Sequence, residues 1–141
     1  MNPPITLLQE ASDNGLAVML SELIQQNLNQ HPERIKLLKS LKIRVMIESP
    51  DIQSAVELGF KQGEMIISSG NPMIQPNLHI IADSATVLDL CLLKIKFGLP
   101  YFFDVNGLKV LKKLIARQLL IKGMLRHFPT LIKLTKLFSV M

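Results

Sequence analysis

The stretch KIRVMIESPDIQSAVELGFKQGEMIIS, residues 42–68, decides the fold class of this chain. Apolar side chains alternate with other residues over 42–48 and again over 54–60, and a period of two is typical of strands with one buried face. The residues KQGE (61–64) then favour a turn, and MIIS (65–68) favours a returning strand. The stretch therefore predicts strands that include a β-hairpin.

Helical periodicity precedes this stretch. The residues LAVMLSELIQQNLNQ (16–30) repeat apolar side chains at helical spacing, which predicts an amphipathic helix. We predict Asp13 as its N-cap, because a short acceptor side chain stands just before the first turn. Pro32 follows the end of this helix and opens a short second one, since proline is favoured in a first turn.

Two more strands and a long helix are predicted after the hairpin. NLHIIA (77–82) favours a fourth strand, and ARQLLIKG (116–123) favours a fifth. Between them lies a predicted helix over 84–97, with Asp83 or Ser84 as its cap. This helix is apolar nearly all round, so we expect it to be buried on two sides.

Two further helices complete the chain. Asp104 or Asn106 starts a helix over 107–115, and Pro129 opens a closing helix. The closing helix carries a wide apolar arc and only a narrow strip of lysines, so we expect most of its surface to be buried against other elements or a partner.

The order of elements predicts an α+β fold. We expect about five strands in a mainly antiparallel sheet that is covered by helices, in a single domain over 1–141. Within it, 1–40 holds the N-terminal helices, 41–83 the strands, and 84–141 the later helices and the last strand.

The chain is unusually apolar for its size. Hydrophobic residues make up 48% of 141 residues and the mean hydropathy is +0.30. No stretch of about 18 apolar residues is present to span a bilayer. The surplus lies mainly in the helix over 84–97, the aromatic loop after it and the closing helix. It fits either an apolar tunnel with the closing helix as a lid, or a packed core with a dimer interface on that helix.

Positive charge is concentrated at the C-terminal end. Residues 1–90 hold six basic and ten acidic residues, whereas 91–141 hold ten basic residues and Asp104 as their one acid. Such a segment suits an anionic membrane surface or a nucleic acid, and it equally fits lysines that only face water. No nucleic-acid partner is predicted, because the basic residues alternate with Leu and Ile and no groove-reading motif occurs.

Candidate catalytic groups are sparse. The chain lacks Walker, GxGxxG and GxSxG motifs, and its three histidines are far apart. Cys91 lies among leucines and is expected in the core, while Glu48, Glu57 and Glu64 fit exposed strand positions. We therefore predict no enzyme, no cofactor and no metal. An N-terminus without the order of a signal peptide predicts a cytoplasmic protein, either free or peripheral at the inner face of the membrane.

Three motifs together resemble one protein family. NLHIIADSATVLDLCLLK (77–94), LIARQLLIKG (114–123) and LTKLFSV (134–140) resemble the strand, capped helix, short strand and closing helix of sterol carrier protein type 2, the nonspecific lipid-transfer domains. The resemblance implies a helix-covered sheet around an apolar tunnel, and lipid binding or transfer in place of catalysis. The loop GLPYFFDVNGL (98–108) is more aromatic than the corresponding family segment.

The resemblance implies the ligand, the tunnel-lining residues and the biosynthetic role, whereas the basic C-terminal segment indicates the membrane-docking residues and the apolar closing helix indicates a second copy. The ligand is an acyl, sterol or prenyl tail, and some bacterial members resemble accessory factors of isoprenoid quinone biosynthesis. The partners are thus a lipid, an anionic membrane, and either a second copy of the chain or biosynthetic enzymes. The residues expected to line the tunnel are Leu92, Phe97, Phe102, Leu108, Leu119, Leu131, Leu134 and Phe138. Those expected to dock on the membrane are Lys109, Lys112, Lys113, Arg117, Lys122, Arg126, Lys133 and Lys136.

Overall fold

The computed structural model describes residues 5–70, 75–91, 95–96, 99–100 and 104–139. The strands are β1 Ile5–Leu7, β2 Ile43–Ser49, β3 Ser54–Lys61, β4 Glu64–Ser69, β5 Leu78–Ile81, β6 Ile95–Lys96, β7 Leu99–Pro100 and β8 Leu120–Lys122. The helices are α1 Gly15–Gln30, α2 Ile35–Ser40, α3 Ser84–Cys91, α4 Val105–Ile115 and α5 Phe128–Phe138. None of these helices is long and apolar enough to cross a membrane.

The main sheet has six strands in the order β1-β4-β3-β2-β5-β8. Three of its pairs are antiparallel, while β1 runs parallel to β4 and β5 runs parallel to β2. The predicted α+β class and the mainly antiparallel sheet are confirmed, but the expected number of strands was one too low. The missing strand is β1, and its three residues are too few to show a period of two.

One face of the sheet builds the core. Val45, Val56, Leu58 and Ile67 point to that face and are fully buried. Helices α1 and α2 pack on this side, and α5 contacts both of them. The alternation that predicted the strands therefore sets which side of the sheet the helices cover.

Asn14, and not Asp13, caps α1. The Asn14 Oδ1 atom accepts a hydrogen bond of 3.2 Å from the Ala17 backbone N–H. The same side chain donates to the Ala55 carbonyl at 2.9 Å and accepts from the Ser54 hydroxyl at 2.8 Å. The bonds to β3 hold the Asn14 side chain where it accepts from a free N–H of the first turn, which is why Asn14 and not the predicted Asp13 is the cap.

The helix predicted over 84–97 is shorter in the structure. It ends at Cys91, and residues 95–96 belong instead to β6, which pairs antiparallel with β7. Gly98 and Pro100 disfavour a helix that continues through this part of the chain. Burial on two sides is also not found over Ser84–Cys91, since Leu88 is 45% exposed.

Candidate functional site

A cavity of about 280 Å³ opens between α3, α4, α5 and the strands β5 and β8. Its volume lies at the lower end of the range for small-ligand sites, about 300 Å³ and above. We call this volume the apolar cavity, and its lining consists of Ile80, Leu90, Val110, Leu111, Leu114, Leu119, Ile121, Met124, Phe128, Leu131, Leu134, Thr135 and Phe138.

The lining has almost no hydrogen-bonding capacity. Among the described residues of the lining, Thr135 carries the one polar side chain, and its hydroxyl donates to the Leu131 carbonyl at 2.9 Å. A buried water requires two to four polar partners, and a polar ligand group without a partner loses its hydration. The cavity therefore favours an apolar occupant.

Helix α4 forms one wall of the cavity. The Asp104 Oδ1 atom caps this helix by accepting from the Gly107 N–H at 2.7 Å, which confirms one of the two predicted caps. Lys113 joins α4 to the start of α3 through an ion pair of 3.4 Å with Asp83. Because both ends of the wall are held, Val110 and Leu114 face the cavity at successive turns.

Helix α5 forms the opposite wall, and its C-terminal end is held by polar groups of the N-terminal half. The Asn27 Nδ2 atom donates to the carbonyls of Leu137 and Phe138, both at 3.0 Å. The Arg34 guanidinium donates to the Ser139 carbonyl. These bonds satisfy carbonyls that the end of a helix leaves free, and they hold Leu134 and Phe138 at the cavity.

Half of the residues predicted to line a tunnel surround the apolar cavity. These are Leu119, Leu131, Leu134 and Phe138. Leu108 lies elsewhere, 48% exposed on another face of α4. The other three predictions, Leu92, Phe97 and Phe102, fall outside the described residues.

Several lining residues were not predicted. Val110, Leu111 and Leu114 recur at helical spacing, so their shared face could have been found from the sequence. Phe128 begins α5 and shares its apolar face with Leu131, so helical spacing could have indicated it as well. Met124 lies in the turn before α5, where no periodicity indicates which side chains meet a cavity.

The predicted docking residues lie on α4, β8, α5 and the turns between them. Lys109, Lys112, Arg117, Lys122 and Arg126 are exposed. Lys113, Lys133 and Lys136 are half-buried, and the Lys133 ammonium donates to the Ser40 hydroxyl at 3.2 Å.

Helix α4 also presents apolar side chains to solvent. Val105 is 72% exposed and Ile115 is 75% exposed. They share one helix face with Leu108 and two exposed lysines, since the positions follow helical spacing. We call this the outward face of α4, formed by Val105, Leu108, Lys109, Lys112 and Ile115.

The groups considered for catalysis have structural surroundings. Burial raises the pKa of the Cys91 thiol to about 12, so it stays protonated at neutral pH. Glu57 is buried, contrary to its predicted exposure, because Arg44 Nε reaches across from β2 to pair with it at 2.8 Å. Glu48 pairs with His79 Nε2 at 3.1 Å. Within the described part of the chain, no three His, Cys, Asp or Glu residues form a metal-binding cluster.

Comparisons with known proteins identify the fold. No protein-family model and no curated protein matches the sequence. A solved structure described as "UbiJ-SCP2 Ubiquinone synthesis protein" superimposes with a TM-score of 0.60 and 12% identity, over 92% of this chain and 93% of that one. The chain thus has an SCP2-like fold, which confirms the resemblance at the level of architecture.

Two further structures align with lower scores. One is a crystal structure of sterol carrier protein 2, with a TM-score of 0.49 and 16% identity, over 83% of this chain and 88% of that one. The other is the solution structure of a conserved hypothetical protein from Thermus thermophilus, with a TM-score of 0.48 and 16% identity, over 82% of this chain and 79% of that one.

Proposed function

Starting from its SCP2-like fold, we propose that this protein binds the apolar tail of a lipid in the apolar cavity and carries or presents it without catalysis. The observation that carries the proposal is the lining as far as the structure describes it, in which the one polar side chain, that of Thr135, already has a partner. An acyl, sterol or prenyl tail fits this chemistry, because none of them requires a hydrogen bond inside the cavity.

The cavity volume sets how much of a tail can be enclosed. At about 30 Å³ for each water-sized group, a volume of 280 Å³ takes roughly nine methylenes. Each methylene removed from water contributes about 0.8 kcal/mol, so the gross gain is about 7 kcal/mol before the cost of association. That gross gain corresponds to a dissociation constant of about 10 µM, so after the cost of association a single chain of about ten carbons binds more weakly than that.

Neighbouring residues on β8 provide a matched test. Ile121 lines the cavity, whereas Leu120 is 40% exposed on the other side of the strand. In Ile121→Trp the indole fills the cavity, so we expect a fluorescent fatty acid to bind at least about tenfold more weakly than to wild type. Leu120→Trp carries the same side chain outside the cavity and is expected to bind normally. Urea unfolding of both variants establishes that they are folded.

Two results would contradict the proposal. If folded Ile121→Trp bound the probe as tightly as Leu120→Trp, the tail would not occupy this cavity. If native mass spectrometry and solvent extraction of wild type found no lipid, and no fatty acid, sterol or prenyl alcohol bound on addition, lipid binding itself would be wrong.

We further propose that the outward face of α4 docks on an anionic membrane, at the cytoplasmic side. Val105, Leu108 and Ile115 supply exposed apolar surface, and Lys109 and Lys112 supply complementary charge. Because the other face of α4 lines the cavity, a docked helix would bring the cavity next to the bilayer. Each lysine near an anionic leaflet adds about 1 kcal/mol.

Vesicle flotation tests this docking. We expect the protein to bind vesicles that contain phosphatidylglycerol, and Lys109→Glu with Lys112→Glu to abolish that binding. The matched control is Lys36→Glu with Lys39→Glu on exposed positions of α2. Binding that is unchanged by high salt would contradict docking by charge, and a concentration-dependent dimer that buries α4 would favour a second copy as the partner.

A second candidate function is the presentation of a prenylated intermediate to biosynthetic enzymes. A solved structure with the same fold is described as a ubiquinone synthesis protein, and this description favours the second function. This function shares the cavity with the carrier proposal and differs in requiring stable protein partners. A pull-down that returns lipid but no biosynthetic enzyme would count against it.

A further inference from the structure

An open groove lies beside the apolar cavity and is lined by basic and polar groups. Its volume is about 690 Å³. Lys122 and Arg126 supply exposed positive charge, and His127 and His79 are half-buried. We call it the basic groove, and its lining consists of Gln75, Pro76, Asn77, His79, Lys122, Gly123, Arg126 and His127.

One segment of chain borders both sites. Of the residues from 121 to 128, Ile121, Met124 and Phe128 line the apolar cavity. Lys122 and Arg126 in the same segment line the basic groove, together with Gly123 and His127. The cavity and the groove therefore lie on opposite faces of β5 and β8, and the turn after the edge strand β8 borders both of them.

Part of the cavity lining is exposed to solvent near the groove. Phe128 lines the cavity and is 51% exposed, and it directly follows His127 of the groove. Ile121 and Met124 are half-buried, so the wall on this side is incompletely covered. A chain that left the cavity past Phe128 would pass the edge strand β8 to reach the basic side chains on the other face of the sheet.

The turn that carries these side chains has a fixed position. Gly123 has a φ of +86°, and a Cβ built there would lie 2.3 Å from the Asn77 carbonyl oxygen. The His127 N–H donates to the Gly123 carbonyl at 3.0 Å. Such close packing requires glycine, and it fixes the turn that carries Lys122 and Arg126, both of which line the groove.

The charge of the groove is not neutralised by its own lining. No carboxylate is among the lining residues, and within the described residues no ion pair involves Lys122 or Arg126. Glu48 does not line the groove, but its carboxylate bonds Nε2 of the lining residue His79 at 3.1 Å. Arginine and lysine side chains without a carboxylate partner favour an anionic oxygen group such as a phosphate.

We propose that the basic groove binds the anionic headgroup of the lipid whose tail occupies the apolar cavity. This inference rests on the proposed function and names its ligand class: a single-chain amphiphile that ends in a phosphate monoester. Lys122 and Arg126 contact the phosphate oxygens, and the turn between Gly123 and His127 separates headgroup from tail.

Calorimetry with decyl phosphate and decanol tests the inference, because the two probes share one tail. We expect wild type to bind decyl phosphate at least about tenfold more tightly than decanol, because hydrogen bonds between charged groups contribute enough free energy for that difference. Lys122→Ala with Arg126→Ala should abolish this preference and leave decanol binding unchanged. Lys36→Ala with Lys39→Ala removes the same charge on α2 and should keep the preference.

The different failures are distinguishable. Equal binding of the two probes by wild type would overturn the headgroup site while the tail site stands. Inorganic phosphate that binds as tightly as decyl phosphate would show a free-phosphate site, and would overturn the link between groove and cavity. If neither decanol nor decyl phosphate bound, the proposed function would fail first, and the headgroup inference with it.

Discussion

Replacement of Asn27 tests how the wall of the apolar cavity is held. Asn27 is 1% exposed, and its amide group donates to the carbonyls of Leu137 and Phe138 at the end of α5. Both of these residues are buried, so water cannot replace the lost donor when Asn27→Ala is made. We expect the variant to be less stable and its α5 to open locally more often.

The magnitude follows from the two carbonyls. Each buried polar group left without a partner costs about 1–3 kcal/mol, so the pair costs about 2–6 kcal/mol, and we use about 3 kcal/mol, in the lower half of that range, because one amide group serves both carbonyls. Alanine is a better helix former than asparagine by about 0.5 kcal/mol, which offsets part of the loss. The free energy of unfolding should therefore decrease by about 2.5 kcal/mol. With a urea dependence of about 2 kcal/mol per molar, the midpoint decreases by about 1 M.

The matched control is Asn29→Ala, an identical substitution at an exposed position of the same helix. This variant gains the higher helix propensity of alanine without losing a buried hydrogen-bond donor. Its urea midpoint should therefore equal or slightly exceed that of wild type. Amide hydrogen exchange should also accelerate in α5 of Asn27→Ala and not in the control. Equal midpoints for the two variants would refute the reasoning, since the bonds from Asn27 would then contribute nothing to stability.

Two further predictions concern titratable groups. Hydrogen bonding to Thr86, whose backbone N–H donates to Asp83 Oδ1 at 2.8 Å, and to a smaller extent the charge of Lys113, lower the pKa of Asp83. Its contribution to stability is thus present above the unfolded pKa of about 4 and is lost as the pH falls through the folded pKa. The urea midpoint of wild type should decrease from pH 5 to pH 3 more than that of Asp83→Asn, and parallel profiles would contradict this. Burial raises the pKa of Cys91 to about 12, and the residue is 2% exposed. A thiol reagent at pH 8 should react with Cys91 only as the protein unfolds, and rapid reaction with native protein would argue against this environment.

Local patterns were sufficient to predict most elements of the fold. The alternation over 42–48 and 54–60 matches β2 and β3, because a strand with one buried face leaves that signal in any context. Pro32 marks the end of α1, and the Asp104 cap marks the start of α4. In each case a backbone requirement restricts which residue can stand at the position.

The errors occurred where contacts with another strand, near or distant in sequence, override local preference. Asp13 and Asn14 are both suitable caps, and bonds to β3 select Asn14. The apolar run after Cys91 favours a helix by composition, whereas the pairing of β6 with β7 places residues 95–96 in a strand. The three residues of β1 form a strand because they pair in parallel with the edge of β4.

The sequence alone showed an excess of apolar residues and placed it mainly in residues 84–97, the aromatic loop after them and the closing helix. The amount of apolar surface depends only on which residues are present. Whether that surplus encloses space or covers a partner depends on how the elements are packed. Val110 and Leu114 face a cavity while Ile115, equally apolar and adjacent in sequence, is 75% exposed. The basic groove likewise requires β5 and the turn after β8 to meet. A cavity is defined by distances between side chains that are far apart in sequence, and no local pattern encodes those distances.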